Sequence, residues 1–497
     1  MRVKLLAKGA VMRTLSILVT IGIGFFMMPF LIHSLGDEQY SLWAIIGTIL
    51  GSYALLDIGI GQAINRFFAR SLHIDDPQAV NSSLSTSVVI FSAIGALSLL
   101  VTMMAIFIGP HFIANKSLAQ TFQVLILILG VRTALTFPLF CFQSFINAKN
   151  RFDLTSLLGI STVIARSAVI VIIVSEGHGL TALALGVALV ELPFLIVGAV
   201  IAYRIHPGLS ISVKSFRPSL AKEYFHFGKY GFISSLAINI KESADSYIIA
   251  GVIALSAISH FTVAGTLIFY FESFMFNIFS VVAPSFNEYH QKNDMKSLAE
   301  KFLVVTELAT YASLLMAGGL ILFGDKFITL WMGPAYLDAY LPLAILAVAA
   351  CLASSQRTTA PLLVAMAKHK YYAGIMVAEA MIKLASSIVL AIQFGLIGVA
   401  VGTLASVVIT KIFIQPRVVC AQLEISLSEY YRVLARRFTM AIVFFITLYL
   451  LKIADQADTY ANLIALSAVT ALLYILLVFM FTLSRESKRL VMSIIGR

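Results

Sequence analysis

Basic side chains lie inside apolar stretches of this sequence, where their charge is costly. Arg132 and Arg166 flank one short basic turn. Arg357 and Lys383 flank a second such turn roughly 219 residues later, and Lys411 follows in another apolar stretch. A cation at the centre of a membrane helix costs about 3 kcal/mol on insertion scales. The pattern therefore predicts a cavity between two related halves that holds something anionic.

The side-chain types indicate which anion would fit. Arginine presents a planar, permanently charged fork that binds phosphate in two places, whereas lysine supplies a point charge on a flexible stem. A cavity with both types could hold a pyrophosphate head group and leave room for sugars. Structural ion pairs are the alternative, because Lys241 with Asp245 and Glu379 with Lys383 are each four residues apart and would share one helix face.

Four carboxylates in apolar stretches are candidates for coupling transport to an ion: Glu191, Asp245, Glu272 and Glu379. A membrane carboxylate can exchange a proton or a sodium ion as its surroundings change. No sodium-ligand pattern accompanies them, so the coupling ion stays open between H⁺ and Na⁺.

Motifs for catalysis and for cofactors are missing. The sequence contains no P-loop, GxSxG or HExxH motif, and its three cysteines have neither CxxC nor Cys/His ligand spacing. We expect no enzyme activity, no cofactor and no metal site.

The composition is that of a polytopic membrane protein. Of 497 residues, 60% are hydrophobic and 12% are charged, against about half and a quarter in soluble domains. A bilayer core needs about 20 apolar residues per helix. The sequence predicts an all-α chain with about fourteen spans, near residues 13–33, 40–57, 82–109, 119–146, 153–175, 180–203, 226–252, 257–287, 302–323, 340–366, 371–394, 396–416, 434–452 and 460–483.

The distribution of Lys and Arg predicts the orientation. With the N-terminus in the cytoplasm, 25 of the 35 basic residues fall in cytoplasmic segments, three in outward loops and seven within spans. This asymmetry follows the positive-inside rule and places both termini in the cytoplasm. It also explains most of the net charge of +11, so we expect no nucleic-acid partner.

The spacing of charges predicts a parallel internal repeat. Arg166 and Lys383 are 217 residues apart, and the two basic turns repeat at a similar distance. Six spans per half would give both halves the same orientation. The predicted organisation is a six-helix bundle over residues 1–205, a cytoplasmic linker over 206–224, a second six-helix bundle over 225–421, and two extra spans with a cytoplasmic tail over 422–497.

Two stretches resemble the polysaccharide flippases of the MOP (multidrug/oligosaccharidyl-lipid/polysaccharide) exporter superfamily. The first helix ends in a proline before a leucine-glycine turn, an acidic residue and an aromatic residue, and the second helix closes on a glycine-rich segment. A later helix resembles the family's seventh, where an aspartate precedes an aliphatic run. The matching residues are Pro29, Leu35, Gly36, Glu38, Tyr40, 56–61 and 244–251.

The resemblance implies two six-helix bundles facing each other across a cavity with alternating access. It implies a bacterial inner-membrane flippase that moves undecaprenyl-pyrophosphate-linked oligosaccharide, such as an O-antigen unit for lipopolysaccharide biosynthesis, to the outer leaflet. Membrane lipid and other polysaccharide-assembly proteins are the expected partners. A cation-coupled exporter of amphiphilic small molecules is the first alternative, and a non-transport component of glycan assembly is the second.

Overall fold

A computed structural model describes residues 2–57, 60–74, 76–113 and 115–495. Within these residues the chain is helical throughout and forms no strand. Ile58 and Gly59 of the glycine-rich segment lie outside the described residues. The α-helices are α1 (Arg2–Leu35), α2 (Asp37–Ser52), α3 (Ile60–Ile74), α4 (Pro77–Ile108), α5 (Lys116–Ala148), α6 (Phe152–Ser175), α7 (Leu180–Ile205), α8 (Pro218–Ile248), α9 (Ala257–Phe279), α10 (Ala283–Gln291), α11 (Met295–Met332), α12 (Tyr340–Ser355), α13 (Thr359–Ala365), α14 (His369–Val407), α15 (Gln415–Leu423), α16 (Leu427–Leu450), α17 (Tyr460–Leu477) and α18 (Arg485–Ile495).

Helices long and apolar enough to cross a membrane occur along the whole chain. Twelve such stretches lie in the described residues. One of them, His369–Leu423, is 55 residues long, which is more than twice the length that a single span needs. The prediction of an all-α polytopic membrane protein is confirmed.

The long stretch contains a reversal at Gly395. The backbone there has φ 57° and ψ −134°, a conformation that glycine adopts without a steric penalty. After the reversal the chain packs back on itself: the hydroxyl of Ser386 donates to the carbonyl of Gly402 over 3.0 Å, and that of Ser387 donates to Val399 over 3.3 Å. The stretch therefore supplies two antiparallel spans, as predicted for 371–394 and 396–416.

α8 supplies a further span by its length. Its 31 residues extend for about 46 Å at 1.5 Å per residue, and it covers most of the predicted seventh span. It also carries Lys222, Lys241, Glu242 and Asp245, which lower its hydropathy below that of the twelve. With the reversal at Gly395, the count of about fourteen spans is compatible with the structure.

The contacts divide the chain into two compact units, Met1–Gly251 and Val252–Arg497. The first unit has an apolar core built around the buried rings of Phe68, Phe91, Phe145 and Tyr224. α8 packs on α2, α3 and α4, so it belongs to this unit by contact. The predicted bundle boundaries, which rest on the repeat and not on contacts, stay a prediction.

The second unit has its own core, and the two spans outside the repeat contribute to it. Tyr474 of α17 is buried between rings of α16, 5.5 Å from Phe444 and 5.6 Å from Phe445 between centroids. Its hydroxyl donates to the carbonyl of Tyr311 in α11 over 3.3 Å. α16 and α17 are thus packed onto α11.

The two basic turns have the same backbone structure. In the first, Asn150 has φ 58°, and in the second Ala367 has φ 55°. Four backbone hydrogen bonds recur with every donor and acceptor shifted by 217 positions. They are Lys149 N to Phe145 O, Asn150 N to Asn147 O, Arg151 N to Ile146 O and Leu154 N to Arg151 O in one turn, and Met366 N to Leu362 O, Ala367 N to Val364 O, Lys368 N to Leu363 O and Tyr371 N to Lys368 O in the other. The ends of α6 and α10, at Gly177 and Asn293, close with the first three bonds of this pattern as well, so the internal repeat stays a prediction.

The segment between α7 and α8 is hydrogen-bonded to α4. The side chain of Asn81 donates to the carbonyl of Gly208 over 3.0 Å and accepts from the N–H of Ser210 over 2.9 Å. Further along, the N–H groups of Ser212 and Arg217 donate to hydroxyls of α4, over 3.1 Å each. α8 then begins at Pro218, inside the predicted linker. The segment that connects α7 to α8 is therefore short and is hydrogen-bonded to α4.

Candidate functional site

Two arginines and one glutamate converge from three helices of the first unit. Arg132 in α5 and Arg166 in α6 both bind the carboxylate of Glu191 in α7. Nη1 of Arg132 donates to Oε2, and Nη1 of Arg166 donates to Oε1 over 3.2 Å. Each carboxylate oxygen therefore has its own guanidinium. Sequence reasoning assigned Glu191 to ion coupling and the arginines to substrate binding, whereas the structure brings the three together.

The three charges line a cavity of about 440 Å³. The other lining residues are uncharged and come from α1, α2, α5, α6 and α7: Leu31, Trp43, Gly47, Leu50, Gly51, Leu129, Thr133, Ile170 and Val187. The side chains of Arg132, Arg166 and Glu191 are 22%, 48% and 12% exposed. With both arginines charged and the glutamate ionised, the lining has a net charge of +1.

Prolines lie inside α5 and α7, the helices that carry Arg132 and Glu191. Pro138 lies six residues after Arg132, and Pro193 lies two after Glu191. Each proline lacks an N–H, so the carbonyl one turn earlier loses its helical donor. In α5 that carbonyl belongs to Ala134, and a β-carbon at Gly95 of α4 would lie only 2.6 Å from its oxygen. The close approach of α4 to α5 thus depends on this glycine.

Hydroxyl groups join α2 to α8 beside the cavity. Ser52 lies 3.3 Å from the hydroxyl of Ser243 and 3.0 Å from that of Tyr247. One turn away, Thr48 donates to Ser246 over 3.4 Å. The neighbouring residues of α2 line the cavity, so α2 faces the cavity on one side and neutral polar groups of α8 on another.

Comparison with known families places the chain in one of them. Residues 35–341, from α2 to the start of α12, match the family described as "Polysaccharide biosynthesis protein". The chain belongs to this family. The match covers more than half of the chain and contains Arg132, Arg166 and Glu191.

Individual relatives of this polysaccharide biosynthesis protein agree with the assignment. The uncharacterized membrane protein EpsK of Bacillus subtilis (strain 168) is 21% identical over 328 residues, which is 64% of each chain. The lipid II flippase MurJ in an inward closed conformation has a TM-score of 0.73 at 14% identity, over 94% of this chain and 99% of that one. An inward-facing MATE multidrug transporter of the MOP superfamily has a TM-score of 0.65 at 14% identity, over 84% and 99%. The predicted MOP fold is confirmed by these two structures, and the family match agrees with the predicted resemblance to polysaccharide proteins.

A second charged cluster lies in the other unit and is closed to solvent. Nζ of Lys411 lies 2.9 Å from the carboxylate of Glu379. Lys383 follows Glu379 by one helical turn and shares its face of α14. Glu379, Lys383 and Lys411 are 0%, 4% and 6% exposed. This cluster lies beyond the residues that match the family.

Amide and hydroxyl groups surround Lys411. It lies in a π-helical segment, Val408–Ile414, a kind of helix distortion often found at functional sites. Its Nζ donates to the side-chain oxygen of Gln415 over 3.0 Å, and its carbonyl accepts from Gln356 over 2.6 Å. Gln415 in turn donates to Thr359 over 3.0 Å. The cluster is arranged as a buried ionic network.

The remaining predicted site residues are not among those that line the cavity. Arg357 is half-buried between α12 and α13, with its guanidinium carbon 5.5 Å from the centre of the Phe276 ring, a cation–π contact. Asp245 is half-buried in α8 of the first unit, and Glu272 is half-buried in α9 of the second. Their roles in substrate binding or ion coupling stay predictions.

Glu307 is a buried charge that was not among the site residues predicted from the sequence. Its side chain is 2% exposed and lies 3.1 Å from Nη2 of Arg437 in α16. Ser484 and Ser487, at the start of α18, each donate a hydroxyl to it over 2.7 Å. The partners are 130 to 180 residues away in sequence, so no local pattern could have revealed them.

Proposed function

We propose that this protein is a flippase for a lipid-linked oligosaccharide. The substrate is undecaprenyl-pyrophosphate-linked, such as an O-antigen or related surface-polysaccharide unit. It moves from the cytoplasmic to the outer leaflet of the bacterial inner membrane by alternating access. The family match and the MurJ-like fold support the class of transporter, and the lysine and arginine distribution supports an orientation with both termini in the cytoplasm.

The observation that carries the substrate class is the pair of arginines in a membrane cavity. Two guanidinium groups from different helices point at one anionic group, which is the arrangement that a diphosphate requires. The cavity volume of about 440 Å³ is within the range of about 300–1,000 Å³ that encloses small ligands.

The uncharged lining suits the rest of the substrate. Trp43 presents an aromatic ring with an apolar face and a polar N–H, which fits the first sugar. The polyprenyl chain stays in the bilayer core throughout transport, so it never leaves an apolar environment. The cavity thus takes the part of the substrate that the bilayer core excludes, and the arginines offset the charge of the pyrophosphate.

Transport further requires that the ligand bind the two access states differently. The hydroxyl contacts between α2 and α8 suit such a change, because they join neutral groups and water can replace them at little cost.

The test is flipping of a polyprenyl-pyrophosphate oligosaccharide by the purified protein in liposomes. Arg132→Lys keeps the charge and removes the fork, so we expect at least a ten-fold lower flipping rate. Arg204→Lys is the matched control, since Arg204 is exposed on α7 outside the cavity lining, and it should flip at the wild-type rate. Equal rates for wild type and Arg132→Lys would count against pyrophosphate recognition at this site.

The second candidate function, a cation-coupled exporter of amphiphilic small molecules, is favoured by the carboxylate of Glu191 in the cavity lining. It predicts that a proton or sodium gradient drives uptake of a lipophilic dye into inverted vesicles, and that Arg132→Lys leaves this uptake unchanged. If the protein flips the lipid-linked substrate and does not transport the dye, the flippase is the correct assignment.

A further inference from the structure

Glu191 takes the position that a substrate phosphate needs. Its two oxygens accept one hydrogen bond each from Arg132 and Arg166, so the groups best suited to bind an anion are already bonded to one. The carboxylate resembles a phosphate group in charge sign and in presenting neighbouring oxygens to guanidinium N–H groups. The two arginines are therefore bonded to a side chain of the protein itself.

We propose that Glu191 is a built-in competing anion, which the phosphate of the substrate must displace from the two arginines. This inference rests on the proposed function and adds a residue that sets the affinity for the substrate. Displacing Glu191 breaks its ion pairs with Arg132 and Arg166. The free energy lost with these two pairs lowers the apparent affinity for the anion. A cavity that binds its ligand moderately can release it on the other side of the membrane, whereas two uncompensated arginines would retain it.

The charge of the lining adds a second consequence. The charged groups that face Glu191 are Arg132 and Arg166, and the residues contributed by α1 and α2 are uncharged. A head group with a charge of about −2 would change the net charge of the lining from +1 to −1, with Glu191 set free beside it. The displaced carboxylate then repels the bound head group, which adds to the cost of binding.

The reporter for the test is already in the cavity. The chain has two tryptophans, of which Trp43 lines the cavity and Trp331 is buried in the other unit. Trp331→Phe leaves Trp43 as the single tryptophan, whose fluorescence then reports on the cavity. The full-length protein in nanodiscs is titrated with inorganic pyrophosphate and, separately, with farnesyl pyrophosphate, which distinguishes a free anion from a lipid-linked one.

In this background we expect Glu191→Gln to bind both probes at least five-fold more tightly, the lower end of typical coupling between sites. In liposomes, Glu191→Gln should flip the lipid-linked substrate more slowly despite its higher affinity, because release is impaired.

Two variants separate charge from packing. Glu191→Asp keeps the competing carboxylate and should bind the probes within about two-fold of the parent. Glu176→Gln removes an exposed carboxylate at the end of α6 and should change nothing. Equal or weaker binding by Glu191→Gln, or equal tightening by Glu191→Asp, overturns the inference while leaving the anion site in place. No binding of either probe by the parent protein overturns the proposed function and this inference with it.

Discussion

At the level of single residues, the membrane-embedded charges of this protein have two kinds of surroundings. Arg132, Arg166 and Glu191 line a cavity and keep part of their surface exposed. Glu379 and Lys411 are almost fully buried and bonded to amides and hydroxyls. An exposed pair can exchange partners with a ligand, whereas a buried one is part of the packing, so the first group suits binding and the second suits stability.

The sequence identified these residues but not their partners. A cation in an apolar stretch is visible from composition alone, because its cost must be compensated somewhere. Glu191, however, is 59 residues from Arg132 and 25 from Arg166, so only the packing of α5, α6 and α7 reveals the shared carboxylate. For Glu379, the sequence offered Lys383 as a partner one turn away, and Lys411 is the contact that packing adds.

The buried cluster predicts a strong effect on stability. Glu379→Gln removes the carboxylate that the buried Lys411 contacts over 2.9 Å, and breaking a buried ion pair in this way costs about 3–5 kcal/mol. The double variant Glu379→Gln/Lys411→Met should recover more than half of that loss, because it also removes the buried cation whose carboxylate was lost. Thermal unfolding of the purified protein in detergent measures both.

The control for this prediction is an exposed pair. Lys326 lies 3.3 Å from Asp458, whose side chain is 73% exposed, so Asp458→Asn should cost about 0–1 kcal/mol. Additive losses in the double variant would show that Glu379 and Lys411 are not coupled.

At the level of helices, apolar length predicted the elements well, and local distortions escaped prediction. The spans follow from stretches of about 20 apolar residues, and the reversal at Gly395 coincides with a predicted boundary. The π-helical segment around Lys411 was not predicted, because no local residue pattern demands it. The bonds of Asn81 and of its neighbours in α4 to the connecting segment were also missed, since a serine-rich helix face has no fixed partner in sequence.

The contact between α4 and α5 gives a prediction at this scale. A β-carbon at Gly95 would lie 2.6 Å from the carbonyl oxygen of Ala134, so Gly95→Ala should push the helices apart and destabilise the protein by about 1–3 kcal/mol. Gly22 of α1 has no neighbouring atom within 4 Å of such a β-carbon, and Gly22→Ala should be neutral or stabilising by up to about 1 kcal/mol. The measurement is the thermal unfolding midpoint of each variant. Equal midpoints for Gly95→Ala and Gly22→Ala would contradict the close approach of α4 to α5.

At the level of the whole molecule, the topology proposed from the basic residues can be tested by labelling. The three native cysteines are buried, so they should react slowly with a maleimide. In intact spheroplasts, a membrane-impermeant maleimide should label Lys116→Cys, which lies in a predicted outward loop. Lys292→Cys, in a predicted cytoplasmic segment, should be labelled only after permeabilisation. The reverse pattern would place both termini outside and refute the proposed direction of transport.

The paired basic turns have a consequence for the origin of the chain. Four backbone hydrogen bonds recur at a constant offset of 217 positions, the spacing that duplication of one unit of that length would leave. Under this hypothesis the ancestor had an even number of spans, inserted every copy in one direction and worked as a pair of identical subunits. Fusion would release the copies from that identity, so that one half could keep its charges open to a cavity while the other buried them.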